Sequence, residues 1–215
     1  MTSKPTSPAP GDFWDQRYAE PGFAFGEAPN AWLAANRSLF KTGMTALVPG
    51  DGEGRNGVFL AELGLRVTTI DASKIGVHKA NLLAAERGVT IDAQVADLTT
   101  WNWPKASFDV VASIYLHWPS RIRPHMHALM MSALKPGGHL VLEAYTPRQL
   151  LHRAAGSHGG PADPDMLFEP ADLRHDFAAM DIRRLEEMQV VLQEGSRHTG
   201  TSSVVRMLAR LPEYP

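Results

Sequence analysis

The sequence predicts an α/β protein with a doubly wound, mostly parallel sheet of seven strands, the last two forming an antiparallel hairpin at one edge. First, short β-branched segments alternate with longer helical ones after residue 41, which is typical of a parallel sheet covered by helices. Second, a glycine-rich turn directly follows the first predicted strand, where doubly wound folds bind ligands. We expect a single domain over residues 11–215, after a flexible arm of residues 1–10 that contains three prolines.

The first half of the chain is predicted to contain two strand–helix units and a third strand. Gly64 and Gly88 mark the ends of the two helices, and Ser73 caps the start of the second. Residues 11–41 are expected to form helical, aromatic-rich packing before the first strand. The predicted strands are 44–49, 66–71 and 89–95, and the predicted helices are 55–63 and 74–87.

The second half is predicted to add two parallel strands and the closing hairpin. A helix is expected over 119–134, beginning at a proline as helix starts allow. The segment 156–164 is rich in glycine, proline and aspartate, which predicts a mobile loop. The predicted strands are 108–115 and 139–145, then 182–194 and 202–211 as the hairpin.

Composition argues against several kinds of protein. The 21 basic and 23 acidic side chains are balanced, so we expect no nucleic-acid partner. The chain has no cysteine, which excludes thiol nucleophiles and thiolate metal sites, and its nine histidines lack ligand spacing, so we expect no metal. No apolar run approaches the roughly 18 residues of a membrane span. Without a signal-peptide core at the N-terminus, the predicted location is the cytoplasm, with no membrane partner.

The turn after the first strand allows two cofactor hypotheses. Gly50-x-Gly52-x-Gly54 suits a nucleoside–amino-acid ligand, whereas the frame that starts at Gly52 matches the dinucleotide pattern G-x-G-x-x-G. In the dinucleotide pattern the first glycine directly follows the strand. Here that residue is Gly50, and Arg55 occupies the place of the third glycine. Asp71 follows Gly50 by about 20 residues, the spacing of a carboxylate that binds ribose hydroxyls, and it fits both cofactors equally.

Five motifs in register resemble those of class I S-adenosylmethionine-dependent methyltransferases, which have a Rossmann-like fold. They are Gly50 to Asn56, Asp71, Ala96-Asp97-Leu98, the strand FDVVASIYLHWP and Leu134-Lys135-Pro136-Gly137-Gly138. The C-terminal third is similar to a narrower group, the bacterial tellurite-resistance and thiopurine-type methyltransferases. That similarity lies in Leu167-Phe168-Glu169 to Leu173-Arg174, Glu194-Gly195-x-x-His198 and Met207-Leu208-Ala209-Arg210. The resemblance implies S-adenosylmethionine as cofactor and S-adenosylhomocysteine as product.

The resemblance also implies a set of cofactor-binding residues. Asp97 would accept a hydrogen bond from the adenine amine, Leu98 would pack on the ring, and the segment 113–115 would face the sulfonium. Pro49 stands where the family usually has an acidic residue at the end of strand one, and Asp51 and Glu53 are the candidates to replace it. The implied set is Phe25, Gly50, Asp51, Gly52, Gly54, Asn56, Asp71, Ala72, Ser73, Asp97, Leu98 and Ser113.

Candidate acceptor-side residues follow strands four and five and lie in the hairpin turn. A sulfonium is already an activated electrophile, so methyl displacement depends mainly on alignment, and a base is needed only when the nucleophile arrives protonated. Arg197 and His198 are suited to binding an anion or deprotonating a neutral acceptor. The predicted catalytic residues are His198, Arg197, Tyr115 and His117, with Tyr145 as a further candidate.

Each of these residues also has a structural alternative. Arg197 and His198 are equally compatible with a solvated turn, His117 with a helix cap, and the two tyrosines with core packing. The aromatic segment 13–26 is a candidate lid that excludes water from the reaction, and core packing is its alternative.

The predicted function is methyl transfer to a small soluble acceptor, with sulfur, selenium and tellurium nucleophiles as the favoured class. One alternative is a small-molecule O- or N-methyltransferase with His198 or His117 as the base. Another is a cofactor-binding module without catalysis, which Pro49 favours. A dinucleotide-dependent reductase ranks third, and it predicts binding of NAD in place of S-adenosylmethionine.

Overall fold

The computed structural model describes residues 11–213, so the predicted arm of residues 1–10 lies outside the described residues. Within residues 11–213 the helices are α1 (Asp12–Tyr18), α2 (Ala31–Ala35), α3 (Arg55–Glu62), α4 (Lys74–Glu86), α5 (Arg123–Ala133), α6 (Gln149–Ala154) and α7 (Pro170–Asp176). The strands are β1 (Thr45–Pro49), β2 (Arg66–Asp71), β3 (Asp92–Val95), β4 (Phe108–Ile114), β5 (Leu134–Tyr145), β6 (Asp181–Glu194) and β7 (His198–Arg210). None of these helices combines the length and apolar character needed to cross a membrane.

The strands form one seven-stranded sheet of order β3-β2-β1-β4-β5-β7-β6. β1 pairs in parallel with β2 and β4, and β3 and β5 extend the parallel part on either side. β7 runs antiparallel between β5 and β6, which confirms the predicted fold class and edge hairpin. The strand order reverses between β1 and β4, and in such sheets ligands bind at the carboxyl ends of the strands near that point.

Helices cover both faces of the sheet, so its central strands are buried on both sides. Leu47 belongs to the apolar cluster that includes residues of α5 and α7, whereas its neighbours Ala46 and Val48 belong to the cluster that includes residues of α2 and α3. Burial on both faces explains why β1 is a continuous apolar run rather than an alternating one. A ligand site can therefore form only at the strand ends and the connecting loops.

Four element starts differ from the predicted ones by three residues or more. β5 begins at Leu134 rather than at residue 139. β3 begins at Asp92 rather than at residue 89, because the N–H of Val89 donates to the carbonyl of Ala84 at 3.0 Å and closes α4. α5 begins at Arg123 rather than at residue 119, with a different proline in its first turn. β7 begins at His198 rather than at residue 202, and pairing with β6 places that residue opposite Glu194.

The segment predicted as a loop, 156–164, is attached to the hairpin. His158 and Thr199 exchange both backbone hydrogen bonds, at 2.9 and 3.0 Å. The short helices α6 and α7 lie on either side of this segment and were not predicted. Both are shorter than the roughly 10 residues over which an apolar period becomes readable, and α7 starts at a capping box formed by Glu169 and Asp172.

Candidate functional site

A cavity of about 1090 Å³ opens at the carboxyl ends of the central strands. Its volume lies at the upper end of the roughly 300–1,000 Å³ of typical ligand pockets. Its walls come from α1, the turn after β1, the ends of β2 and β4, the segment 157–163 and the hairpin turn. The cavity therefore lies where the reversal of strand order predicts a ligand site.

The glycine turn contributes less to the cavity wall than its sequence suggests. Gly50 and Asp51 line the cavity, whereas Gly52 and Gly54 do not. Gly52 has a φ of +58°, and a Cβ there would lie 2.4 Å from the hydroxyl oxygen of Tyr18 in α1. A Cβ on Gly54 would lie 2.6 Å from the Cβ of Ala80 in α4. These two glycines thus allow helices to pack against the turn, and their predicted cofactor role stays a prediction.

Asp71 ends β2 at the cavity and organises the turns around it. Its Oδ2 accepts the N–H of Gly52 at 2.8 Å, and its Oδ1 accepts the N–H of Ser73 at 2.8 Å. Burial raises the pKa of this carboxyl group, and the two backbone donors partly oppose that rise. Each carboxylate oxygen keeps a second lone pair for a hydroxyl ligand.

Ala72 lines the cavity beside Asp71, but the predicted ligand Ser73 does not. The Ser73 hydroxyl accepts the N–H of Gly76 at 2.9 Å as the cap of α4, and it donates to Asp15 of α1 at 2.5 Å. Ser113 is 1% exposed and also lies away from the cavity wall, because its side chain is on the buried part of β4. Both serines lie outside the cavity wall, and their predicted cofactor role stays a prediction.

Asp51 and Glu53 were the two candidates to replace the acidic residue at Pro49, and the structure distinguishes them. Both Glu53 oxygens are engaged, one by the N–H of Ala24 at 2.7 Å and the other by Lys79 at 2.9 Å. Asp51 lines the cavity. Its Oδ2 accepts the N–H of Gly57 at 3.0 Å, while its buried Oδ1 has no hydrogen-bond partner among residues 11–213.

The environment of Asp51 disfavours its charged form. Burial raises the pKa of this carboxyl group to about 7, and the nearby carboxylate of Asp71 acts in the same direction. The N–H of Gly57 and the guanidinium of Arg55 act the other way. A cation that entered the cavity beside Asp51 would stabilise the carboxylate and release its proton.

Three further members of the predicted cofactor set line the cavity together. Asp97 accepts the N–H and the hydroxyl of Thr99 on Oδ1, at 2.8 and 2.7 Å. Leu98 is 6% exposed and anchored in the core. Asn56 accepts the N–H of Asn30 at 2.9 Å, which ties the start of α3 to the segment before α2. Asp97 therefore also fixes its own turn.

His198 is buried in the cavity wall and is oriented by a carboxylate. Its Nδ1 lies 3.0 Å from Oε2 of Glu194, and the same oxygen accepts from Arg55 at 2.9 Å. Because a carboxylate only accepts, Nδ1 carries the proton and Nε2 is left as an acceptor. Burial lowers the pKa of His198, and the hydrogen bond that its Nδ1 donates to Glu194 partly offsets this effect. The centroid of the His198 ring lies 4.5 Å from that of Phe25 and 4.6 Å from that of Tyr115.

His117 also lines the cavity, but both of its ring nitrogens are engaged. Nδ1 donates to the carbonyl of Met166 at 2.7 Å, and Nε2 accepts the N–H of Tyr145 at 3.3 Å. Burial lowers the pKa of this imidazole to about 4. The ring is therefore neutral and joins two segments, so its geometry does not support a base at this position.

Tyr115 lines the cavity as an aromatic wall. Its backbone has a φ of +53°, which non-glycine residues rarely adopt. Its hydroxyl donates to Glu143 at 2.5 Å, and its N–H donates to the carbonyl of the same residue at 2.7 Å. Glu143 is fully buried and also accepts from Asn30 and Arg206. The hydroxyl is thus committed to this network, and only the ring faces the cavity.

The aromatic segment before α2 contributes directly to the cavity. Trp14 stacks on Tyr18 at 5.7 Å, and both line the cavity together with Phe13 and Phe25. Asp15 fixes α1 in place, because it accepts from Ser73 and from the N–H of Ile75 at 3.2 Å. The segment therefore lies where a lid would lie, over the ends of β1 and β2.

Comparison with known proteins agrees with this geometry. Residues 46–138 match the family model described as a methyltransferase domain, and no curated protein matches the chain. One similar structure comes from a study of the conversion of a disulfide bond into a thioacetal group during echinomycin biosynthesis. It has a TM-score of 0.77 at 19% identity, over 95% of this chain and 93% of the other.

Two further structures are similar at lower TM-scores. TehB from Haemophilus influenzae has a TM-score of 0.67 at 17% identity, over 94% of this chain and 66% of the other. Magnesium protoporphyrin IX methyltransferase (ChlM) from Synechocystis PCC 6803, with bound SAH, has a TM-score of 0.62 at 22% identity, over 84% and 78%.

Residues 46–138, somewhat less than half of the chain, thus match a methyltransferase domain. Together with the fold, this match supports an enzyme that uses S-adenosylmethionine and forms S-adenosylhomocysteine. The residues of this methyltransferase fit the cofactor chemically. The unpartnered Oδ1 of Asp51 suits an ammonium group, and the oxygens of Asp71 suit ribose hydroxyls.

Sequence reasoning missed several residues that shape the site of the methyltransferase. Glu194 was part of a quoted motif without a role, and Arg55 was noted only as a break in a glycine pattern. The methyltransferase also has Arg17 and Arg153 in the cavity wall. Arg17 stands in the aromatic segment, where it could have been noticed, whereas no local signal marks Arg153.

Proposed function

We propose that this methyltransferase methylates a small acceptor through a sulfur, selenium or tellurium nucleophile, and that His198 receives the proton when the nucleophile arrives protonated. The observation that carries this proposal is the His198–Glu194 pair, which lies in a wall of aromatic rings. When bound, S-adenosylmethionine supplies an electrophilic methyl group on a sulfonium. The chain then has to align the acceptor, exclude water and take up a proton.

His198 has the properties of a base in this arrangement. Glu194 fixes its tautomer, so that Nε2 is the nitrogen able to accept a proton. Its lowered pKa keeps the ring neutral near pH 7, and the Glu194 carboxylate stabilises the imidazolium that forms. Nε2 of His198 takes up the proton that the acceptor atom loses.

The aromatic lining supports a soft nucleophile. Phe25, Tyr115 and Tyr145 lie within 5.5 Å of the His198 ring, measured between centroids. Sulfur makes favourable contacts with aromatic rings, worth about 0.3–1.5 kcal/mol each. The similar structure from the study of a disulfide conversion, and the similarity to TehB, support the same acceptor class and the narrower tellurite-resistance subtype.

We assign the cofactor end of the cavity to the carboxyl ends of β1, β2 and the turn after β3. Asp51 is proposed to bind the amino group of the cofactor, Asp71 its ribose hydroxyls, and Asp97 with Leu98 its adenine. All four residues line one cavity. We further propose that the chain acts as one domain in the cytoplasm, on a soluble acceptor and without nucleic acid, in line with its balanced charge.

An O- or N-methyltransferase remains the second candidate, because a carboxylate-oriented histidine serves a hydroxyl or an amine equally well. The test is a panel of matched thiols, alcohols and amines, with S-adenosylhomocysteine formation and product mass as the readouts. We expect methylation of the thiols. Methylation of the alcohols or amines alone would contradict the sulfur assignment.

The role of His198 is tested in the same assay with His198→Gln and Glu194→Gln, and Glu27→Gln serves as the matched control because its ion pair with Arg87 is exposed. We expect a loss of about 10²–10⁴-fold in kcat/KM for His198→Gln with a protonated acceptor. In wild type, kcat/KM should fall on the acid side of a pKa below 6.5. An unchanged rate in His198→Gln would remove the base from the mechanism.

A further inference from the structure

Charged side chains of both signs line the cavity, and opposite charges meet where Arg55 lies near Asp51 and where Glu20 pairs with Arg197. The carboxylates Asp51, Asp71 and Asp97 follow β1, β2 and β3. Besides Arg55 at the start of α3, arginines line the cavity from three other segments, namely Arg17 of α1, Arg153 of α6 and Arg197 in the hairpin turn. These segments are far apart in the chain, so the tertiary fold brings the guanidinium groups together.

Arg17 lies within electrostatic reach of Arg153 and Arg197, with which it shares the cavity wall. Burial lowers the pKa of Arg17, and the like charges of Arg197 and Arg153 lower it further. Glu20 is the carboxylate that acts in the opposite direction. A group of like charges in a partly buried cavity is unfavourable until an anion joins it.

The arginines differ in how their charge is balanced. Arg197 is paired with Glu20 at 2.5 Å. Arg17 forms no ion pair within residues 11–213, and its guanidinium lies over the rings of Phe13 at 4.5 Å and Trp14 at 5.3 Å. Arg153 donates only to neutral carbonyl oxygens of the loop, at 3.1 Å for residue 159 and 2.7 Å for residue 160.

The carboxylate of Asp163, a further group in this wall, already accepts a backbone hydrogen bond. Asp163 lines the cavity, but its side chain accepts the N–H of Asp165 at 3.0 Å and caps a short 3-10 helix. Arg17 and Arg153 therefore carry positive charge that the described part of the chain does not neutralise by pairing.

A buried donor lies beside this charge. Tyr145 is 1% exposed and lines the cavity, and its hydroxyl has no hydrogen-bond partner among residues 11–213. A Cβ on Gly159, in the loop that Arg153 holds, would lie 2.3 Å from that hydroxyl oxygen. Burial raises the pKa of Tyr145, so the hydroxyl keeps its proton and remains a donor. An unpaired buried hydroxyl is costly unless a ligand accepts from it.

We propose that the acceptor carries a carboxylate-like anionic group, which binds between the guanidinium groups of Arg17 and Arg153 and accepts a hydrogen bond from the Tyr145 hydroxyl. This inference rests on the proposed function, because it names the acceptor of that same site. It also differs from the expectation that Arg197 binds the anion, since Glu20 already engages Arg197. The anion-binding group is thus supplied by α1 and α6.

The test uses three thiols that differ in one terminal group: 3-mercaptopropionate, 2-mercaptoethanol and cysteamine. Each is titrated calorimetrically into protein saturated with S-adenosylhomocysteine, so that binding is measured without turnover. We expect 3-mercaptopropionate to bind about tenfold or more tightly than the neutral thiol, and cysteamine to bind least well. Arg17→Gln should abolish most of this preference, and Tyr145→Phe should reduce it.

The matched control is Arg183→Gln, because Arg183 lies on β6 outside the cavity wall and pairs with Asp181. It should keep the wild-type preference. Equal binding of the three thiols by wild type would overturn the proposal. So would a loss of affinity in Arg17→Gln for S-adenosylhomocysteine but not for 5′-methylthioadenosine, which lacks the amino-acid part, because that result would assign Arg17 to the carboxylate of the cofactor.

Failure of the proposed function gives a different result. If no thiol is methylated while the protein binds S-adenosylhomocysteine, the sulfur assignment fails, and the binding preference among the thiols still decides the anion site. If thiols are methylated without a preference for the anionic one, the anion site fails and the sulfur assignment stands.

Discussion

At the scale of single residues, the partners of a side chain decide its role more than its type does. His117 and His198 line the same cavity, yet only His198 keeps an acceptor nitrogen. Asp51 and Glu53 are two positions apart in one turn, yet both carboxylate oxygens of Glu53 already accept hydrogen bonds, from Lys79 and from a backbone N–H. The first testable prediction therefore concerns Asp51.

We expect the affinity of the wild-type protein for S-adenosylhomocysteine to fall as the pH drops below about 7. The pKa of the Asp51 carboxyl group is raised to about 7 by burial, and the cofactor's ammonium favours the carboxylate, so binding must release the proton at lower pH. The decrease should approach tenfold per pH unit. Isothermal titration calorimetry between pH 5.5 and 8 measures it.

Asp51→Asn is the matching variant, because it keeps an acceptor for the N–H of Gly57. Its affinity should be weaker than wild type at pH 8 and nearly independent of pH. Between pH 3.8 and about 7, the Asp51 carboxyl group of the free protein is protonated in the native state and ionised in the unfolded chain. This group therefore makes the protein less stable as the pH rises through that window. A pH-independent wild-type affinity would contradict the role of Asp51.

At the scale of elements, the turn after β1 is shaped by the helices around it. Gly52 stands against the hydroxyl of Tyr18, and Gly54 stands against Ala80. The cavity side of the turn is made by Gly50 and Asp51, and α1 is held over it through Asp15. The glycine pattern thus reports helix packing as well as ligand approach.

Gly52→Ala is expected to destabilise the protein by about 2 kcal/mol. A Cβ at this position would meet the Tyr18 hydroxyl oxygen at 2.4 Å, on a backbone with a φ of +58°. Chemical denaturation followed by circular dichroism measures the free energy of unfolding.

Tyr18→Phe provides the control, since it removes the hydroxyl. The cost of Gly52→Ala should be smaller in the Tyr18→Phe background, because only the left-handed backbone and the ring carbon contact remain. An identical cost in both backgrounds would show that contact with Tyr18 does not explain the glycine.

At the scale of the whole molecule, the cavity is assembled from segments spread along almost the entire described chain. Its lining residues extend from Phe13 to His198. Glu194, which orients His198, also accepts a hydrogen bond from Arg55 at the start of α3. A ligand that contacts these segments together stabilises the folded state against global unfolding.

We therefore expect S-adenosylhomocysteine at 100 times its Kd to stabilise the protein by about 2.7 kcal/mol. This corresponds to a rise in Tm of about 5–10 °C for a chain of this size. NAD should produce no shift, because Arg55 breaks the dinucleotide pattern. Asp71→Ala should lose the response, and its circular dichroism spectrum controls for folding because Asp71 also holds two backbone N–H groups. A rise with NAD alone would favour the reductase.

The cofactor followed from the resemblance of five motifs to a known family, whereas the fold class and the position of the ligand turn were predictable because they depend on local periodicity within single strand–turn–helix units. The edge hairpin and Asp71 were predictable for the same reason. Tertiary structure decided which turn residues face the cavity, which histidine keeps a free nitrogen, and how Arg17, Arg153 and Tyr145 meet. Most of these properties depend on contacts between separate segments of the chain, such as Gly52 with Tyr18 or His117 with Met166, and no local pattern encodes such contacts.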